Sequence, residues 1–334
     1  MAHGDGTGNI NSTTRLRIAA AGLLSLGMLC LVQGLVRPPM LLAERFVPGA
    51  GWAEAALLAA YAALVCRAML DPARQPRWRR FTWRLFSVVF YGQLLLGLAG
   101  LEKCLMTGKL HLPVPAVIAA GPAWRGDGFF MLGLFLTTLL LVGPAWCSHL
   151  CYLGAWDDLA ATRRRVARPL PRWMRAGKIA FALAVILAAF LMGFAEVPGH
   201  AAAVTGGVFG ILGVGVMAWF SRRSGAMSHC LFWCPIGVLA TVLGRLSPFR
   251  LPIDPSCTGC KACFRACRYD ALSEEDLERG RPALSCTLCG DCVTSCRSLS
   301  IRYRFVALSG DRARALFIVL VSALHAVFLG LARI

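Results

Sequence analysis

Residues 257–296 read CTGCKACFRACRYDALSEEDLERGRPALSCTLCGDCVTSC, and the runs at the two ends of this stretch share one pattern. Cys257, Cys260, Cys263 and Cys267 form C-x2-C-x2-C-x3-C, and Cys286, Cys289, Cys292 and Cys296 repeat it 29 residues later. Three cysteines at such short intervals let a looping backbone wrap one face of an iron–sulfur cubane. The fourth leads away and, in two-cluster modules, reaches the other cluster. The spacing therefore predicts one 4Fe–4S cluster on Cys257, Cys260, Cys263 and Cys296, and a second on Cys286, Cys289, Cys292 and Cys267. Tetrahedral zinc is the alternative. It needs four ligands, usually as two separated C-x2-C pairs, and four cysteines within eleven residues, repeated, exceed that need.

Outward from this polar stretch the chain changes character. Of 334 residues, 57% are apolar and only 16% charged, against a globular apolar share of about 45–50%. A chain this apolar hides its surface in lipid rather than in an ordinary soluble core. Candidate membrane spans lie at about 18–36, 52–70, 85–102, 128–146, 179–195, 201–220 and 315–332, each near the ~20 residues that cross a bilayer as a helix. Residues 1–14 are small and polar and are expected to fray. The first apolar run lacks a small-x-small cleavage site, so it is expected to be retained as a signal-anchor.

The net charge is +18. Basic clusters beside apolar runs are topology signals, and no aromatic-studded groove accompanies them, so nucleic acid is not the expected partner. With residues 1–17 inside, the inner segments carry seventeen Lys and Arg against six outside. That bias supports seven spans and puts the cysteine-rich segment in the cytoplasm. Disulfides are disfavoured in that reducing compartment. The expected organisation is a six-helix membrane domain (15–221), a cytoplasmic segment (222–312) with a small α+β ferredoxin-like module at about 250–305, and a seventh span (313–334). The fold class expected is thus an α-helical membrane protein carrying a small α+β bacterial-type di-cluster ferredoxin domain.

Two further cysteine pairs sit at the ends of spans. Cys147-Ser-His-Leu-Cys151 closes the fourth, and Cys230-Leu-Phe-Trp-Cys234 follows the sixth. Positions i and i+4 of a helix share one face, so each pair is expected on a helix face near the module. Facing each other, the pairs would offer four thiolates to a metal or cluster, or a reversible dithiol. Buried free cysteines otherwise behave as small hydrophobes, as is expected of Cys30, Cys66 and Cys104. His149 and His229 adjoin the pairs as candidates for ligation or proton relay, although interfacial histidines bound to backbone are commoner. His325, inside the last span, marks either a pathway or a helix–helix hydrogen bond. The glycines between Gly206 and Gly215 suit close helix packing. The loop Glu102–Asp127, with Lys109 and His111, is longer than a turn; ordinary loop structure is expected there, with a quinol cap or a docking site as the functional alternative.

The combination of several spans, two membrane C-x3-C motifs and a tandem ferredoxin motif resembles the membrane-bound polyferredoxins of the NapH, NosR and CcoG type. The similarity runs over about residues 85–305, including HCLFWCPIGVLATVLGRLSPFRLPIDPSCTGC. Tyr152 stands where that family has proline after the first pair, and Arg268 and Arg297 stand where bacterial ferredoxins have proline after the fourth cysteine. Neither proline is a ligand. A guanidinium close to a cluster would raise its potential; a solvated surface arginine is the alternative. The resemblance implies quinol-linked electron transfer, by a quinol dehydrogenase-type subunit of the inner membrane rather than a self-contained enzyme. The expected partners are lipid, quinone and a redox protein. It equally implies an accessory role, in which the membrane pairs reduce a metal or dithiol during maturation of another metalloenzyme. No phosphate-binding glycine loop, Ser/His/Asp arrangement or C-x2-C-H haem site occurs in the sequence.

Overall fold

The computed structural model describes residues 11–105 and 112–331; Lys109 and His111 of the outer loop lie outside the described residues. Among the described residues, seven helices are long and apolar enough to cross a membrane: Ser12–Leu35, Ala50–Leu70, Gln75–Leu98, Phe130–Leu150, Arg172–Phe194, Gly199–Ser224 and Asp311–Leu331. The seventh is the post of the bundle, with 78% of its apolar window buried, whereas the fifth and sixth bury only 6% and 11%. Phe317, Ile318, Val321 and Ala323 of that post are packed among the first four spans. The fifth and sixth stand to one side, wide open to surrounding hydrocarbon.

Two boundaries differ from the hydropathy expectation. The first helix already begins at Ser12, because the Asn11 side chain accepts the Thr13 N–H at 3.4 Å and caps it. Residues 12–14 are therefore helical rather than frayed. The third begins at Gln75 instead of 85, with Pro76 preset for its first turn. Those ten further residues, nearly three turns, carry Arg77, Arg79, Arg80 and Arg84 into the helix. Arg79, which charge counting treats as a topology signal, is 1% exposed.

The polar module sits between the short helix Pro235–Leu243 and the seventh span. Its sheet is minimal: β1 (Phe249–Arg250), β2 (Arg304–Phe305) and β3 (Leu308–Ser309) pair antiparallel in that order, extended by an Ile253–Ile301 bridge. This pairing brings the ends of the cysteine stretch together and closes the module. Phe249, Tyr303 and Phe317 then stack in a cluster that roots it on the seventh span.

The seam between module and bundle is polar and buried. Arg79 Nη2 donates to Asp291 Oδ2 at 2.8 Å, with both side chains at 7% exposure or less. Arg79 Nη1 donates to the Ser148 carbonyl at 3.1 Å, and Ser148 Oγ donates to the Thr287 carbonyl at 3.0 Å. Arg80 adds a second contact to Asp291 at 3.2 Å. Arg314 grips the Met69 and Leu70 carbonyls and Gln75, closing the hairpin below. Removing one partner of such a buried pair strands the other charge, at a cost of about 3–5 kcal/mol. Arg79→Gln or Asp291→Asn should therefore lower the free energy of local opening over residues 286–296 by about 3 kcal/mol, measured by amide hydrogen exchange, while the spans stay protected.

Candidate metal centre

The tandem motif repeats in backbone conformation as well as in sequence. Gly259 and Leu288, Lys261 and Gly290, and Asp270 and Leu299 are left-handed pairs, each separated by the 29-residue repeat. Short helices follow at Ala262–Ala266 and Asp291–Ser295, and each ends on its fourth cysteine with φ −79° and ψ 107°. These turns aim the thiols inward. The thiols of Cys257, Cys260 and Cys296 lie within electrostatic reach of Cys263, and those of Cys267, Cys286 and Cys289 within reach of Cys292. These are the neighbours that an exchange of fourth cysteines between runs would draw together. A small cavity of about 20 Å³ lies among Cys267, Cys286, Cys289 and Cys292, lined also by Leu251, Tyr269 and Leu272. Four convergent thiols, three from one closely spaced run and the fourth from the other, fit an iron–sulfur cluster.

The membrane pairs form a third group of thiols. Cys147, Cys151 and Cys234 are all within electrostatic reach of Cys230, and the four are 4–7% exposed. Their local structure corrects the expected α-helix face. Each motif lies on one π turn, Trp146–Leu150 and His229–Trp233, with the second cysteine just past it in extended conformation. The Cys151 and Cys234 N–H groups close these turns onto the Trp146 and His229 carbonyls, five residues back, at 2.9 Å each. The wider turn swings the second thiol toward the opposite motif; π turns of this kind are frequent at functional sites.

A sequence signal for this repeat sits seven residues after each first cysteine, where both motifs have glycine. A Cβ on Gly154 would lie 2.8 Å from the Cys147 carbonyl oxygen, and one on Gly237 would run into the Cys230 carbonyl oxygen. Only glycine lets the outgoing helix close over the cysteine. The Trp83 indole N–H, donating to the Cys151 carbonyl at 2.6 Å, braces the first motif from the third span.

Burial pushes the Cys151 thiol up to about 11 and the Cys234 thiol up to about 12. Reactive dithiols work through a lowered thiol pKa and access to a partner. These have neither, so they suit coordination, in which the metal displaces the protons. On one flank, Asp157, His229 and Cys230 bring their donor atoms within 4.8 Å of one another. Asp157 Oδ2 accepts the Cys230 N–H at 2.9 Å. Asp157 Oδ1 and His229 Nδ1 have no hydrogen-bond partner among the described residues. Burial raises the Asp157 carboxyl to about 6.

Tyr269 joins the second ferredoxin group to the membrane group. It follows Cys267 by two residues, donates to the Cys147 carbonyl at 3.4 Å, and lies within electrostatic reach of Cys289, Cys230 and Cys147. Tyr269, Arg79, Asp291 and Trp83 carry no motif that singles them out in sequence.

Several expectations resolve here. His325 bonds Tyr61 Oη at 3.0 Å and the His149 carbonyl at 3.3 Å, the helix–helix hydrogen bond of the two alternatives. His149 Nδ1 bonds its neighbour Ser148 at 3.0 Å. Arg268 donates to the Gly225 and Arg165 carbonyls, tying the module to the neighbouring loops. Arg268 is itself within electrostatic reach of Cys267, and a second guanidinium, that of the fully buried Arg79, is within reach of Cys289. The close approaches at Gly206, Gly210 and Gly213 are to Leu112, Val114 and the His229–Trp233 turn. They accommodate a loop and a cysteine motif, where helix packing alone was expected. Cys66 and Cys104 are buried, Cys30 half-buried.

Comparison with known proteins agrees with this chemistry. The family described as a 4Fe-4S binding domain matches residues 127–171, the segment holding Cys147 and Cys151 rather than the ferredoxin runs. The "Putative electron transport protein YccM" of Escherichia coli is 27% identical over 228 residues, covering 60% of this chain and 59% of its own length. Two uncharacterized proteins of Methanocaldococcus jannaschii are each 28% identical, one over 78 residues, covering 23% of this chain and 30% of that one, the other over 81 residues, covering 24% and 32%. The chain thus spans about a third to three-fifths of the curated relatives it matches. No solved structure matches it. With seven apolar helices, these matches support a membrane-type 4Fe–4S protein, as the resemblance of its motifs implies.

Gly237→Ala should lower thermal stability by about 1–3 kcal/mol through overpacking. Gly215→Ala, whose methyl meets nothing within 4 Å, should not; thermal unfolding in detergent compares them. In metal-free protein, a polar alkylating reagent should modify the exposed Cys260 first and the four membrane cysteines last, as followed by peptide mass mapping.

Proposed function

We propose that the chain is a membrane electron-transfer subunit that passes electrons between the quinone pool and a soluble redox partner through three iron–sulfur centres. Two belong to the ferredoxin module and the third to Cys147, Cys151, Cys230 and Cys234. The observation that carries this proposal is the order of the thiol groups. The first ferredoxin group reaches the surface through exposed Cys260. The second is half-buried behind it, and the third is enclosed in the bundle beyond Tyr269. A graded series from surface to membrane interior is what transfer between a soluble and a lipid-dissolved carrier requires. The match of the 4Fe-4S binding domain to residues 127–171 supports the third centre.

Bound clusters would supply one-electron chemistry. The chain's own residues hold the thiols, exclude water from the inner two groups and set the nearby charge. The Arg79 guanidinium would favour the reduced, more negative state of the second cluster. The positive-inside charge bias supports a cytoplasmic module; the partner would then meet Cys260 there and the subunit would lie in the inner membrane. The maturation alternative needs the membrane pairs as an accessible dithiol, and their burial favours coordination instead.

Anaerobic purification with iron and sulfide counting tests the proposal. About twelve irons are expected, four per cluster, falling to about eight in Cys147→Ser/Cys151→Ser. Short-chain quinol should reduce, or quinone oxidise, the clusters of the wild type. Eight irons in the wild type would refute the third centre, and no exchange of electrons with quinone in either direction would refute the quinone link. Arg79→Gln should lower the potential of one of the two ferredoxin clusters, read by EPR-monitored redox titration.

A further inference from the structure

A cavity of about 950 Å³ lies between the short helix Val117–Arg125 and the fifth and sixth spans. Most of its wall is apolar: Val114, Val117, Val185, Met192, Ala203 and Phe209. Its polar groups, Arg125, Glu196, His200 and Thr205, come from the end of the fifth span, the start of the sixth and the helix between loops. In the sixth span these groups lie at the end opposite the cysteines.

The other end of the cavity meets the third thiol group through aromatic rings. Phe209 lines the cavity and stacks on Trp233, with ring centres 4.9 Å apart and planes 21° apart. The Trp233 indole N–H donates to the Phe209 carbonyl at 3.2 Å, which fixes the stack. Trp233 is bonded directly to Cys234 along the chain. One helical turn further along the sixth span, Gly213 admits His229 and Trp233, so the second motif presses against the same helix that walls the cavity. Phe181 from the fifth span tilts against Trp233 at 5.2 Å and completes the enclosure.

We propose that this cavity binds the ring of a lipid-soluble quinone, with Phe209 and Trp233 forming the contact path to the centre at Cys147, Cys151, Cys230 and Cys234. The assignment deepens the quinone link proposed above and rests on it. A lipid-dissolved carrier enters from hydrocarbon, and the fifth and sixth spans leave this side open to it. Mostly apolar pockets with a few polar groups that fix orientation are usual for such ligands. Oxidation of one quinol releases two electrons and two protons. The electrons leave singly along the aromatic path into the iron–sulfur centres, which together hold both. The protons leave by the polar mouth at Glu196 and His200. Reduction of a quinone runs the same balance backwards.

The experiment uses the full chain with its clusters, in nanodiscs. A photoreactive azidoquinone should label peptides from 112–125 and 185–209, with unlabelled quinone competing and added phospholipid not. Ala203→Phe, which projects a ring into the cavity, should weaken labelling about tenfold or more, a loss of at least 1.4 kcal/mol in binding, with iron content and dithionite reduction unchanged. Phe209→Leu should keep the label and slow quinol-driven cluster reduction about tenfold. Labelling elsewhere, labelling displaced equally by phospholipid, no labelling, or normal labelling of Ala203→Phe would overturn the site. Quinol reduction of the wild type with an unlabelled cavity would leave the electron-transfer proposal standing and remove this one. A labelled cavity without electron transfer would keep the quinone site but remove the electron-transfer proposal and, with it, the aromatic path.

Discussion

The ion pair of Arg79 with Asp291, sealed under the module at 2.8 Å, is the contact on which the arrangement of the thiol groups depends. Asp291 immediately precedes Cys292, and Arg79 also donates to the carbonyl of Ser148, the neighbour of Cys147. One guanidinium therefore fixes a ferredoxin loop and a membrane motif in a single geometry. Buried ion pairs often add little net stability, because desolvation offsets attraction. Here the pair, with Arg80 beside it on the same carboxylate at 3.2 Å, specifies position for the second cluster loop.

Two internal repeats of different kinds meet at that seam. The ferredoxin runs recur every 29 residues, with matching left-handed turns and matching terminal cysteines. The membrane motifs recur as π turns, each followed by a glycine that lets the next helix close over the first cysteine. Each repeat puts two half-sites face to face, and Tyr269 touches both systems. Exposure falls from the first ferredoxin group to the membrane group, so water is shed in steps along the series. That gradient suits electron passage between media of unlike polarity more than it suits thiol exchange, which needs access.

The ferredoxin ligands were legible in the sequence because ligand spacing within eleven residues is a local property. The expectation of an exchanged fourth cysteine rests on the same spacing. The number of long apolar helices was legible too, since hydropathy and loop charge are sums over many residues. The seam was not. Arg79 lies in a basic run beside Arg77 and Arg80, and only the fold decides which of the three turns inward. Asp291 is one acidic residue inside a motif whose other members draw attention. The pairing of the C-x3-C motifs was anticipated, but their π turns were not, because a turn wider by one residue has no compositional mark. The glycine seven residues after each first cysteine was a usable mark, visible once the two motifs are laid over each other.

Anomalous X-ray scattering at the iron edge, from crystals grown without oxygen, locates every metal centre in one measurement. Three iron peaks are predicted: one at Cys257, Cys260, Cys263 and Cys296, one at Cys267, Cys286, Cys289 and Cys292, and one between the two π turns. Iron at the first two sites alone, or a peak at the π turns that appears only at the zinc edge, would contradict a continuous iron–sulfur path from the surface into the membrane.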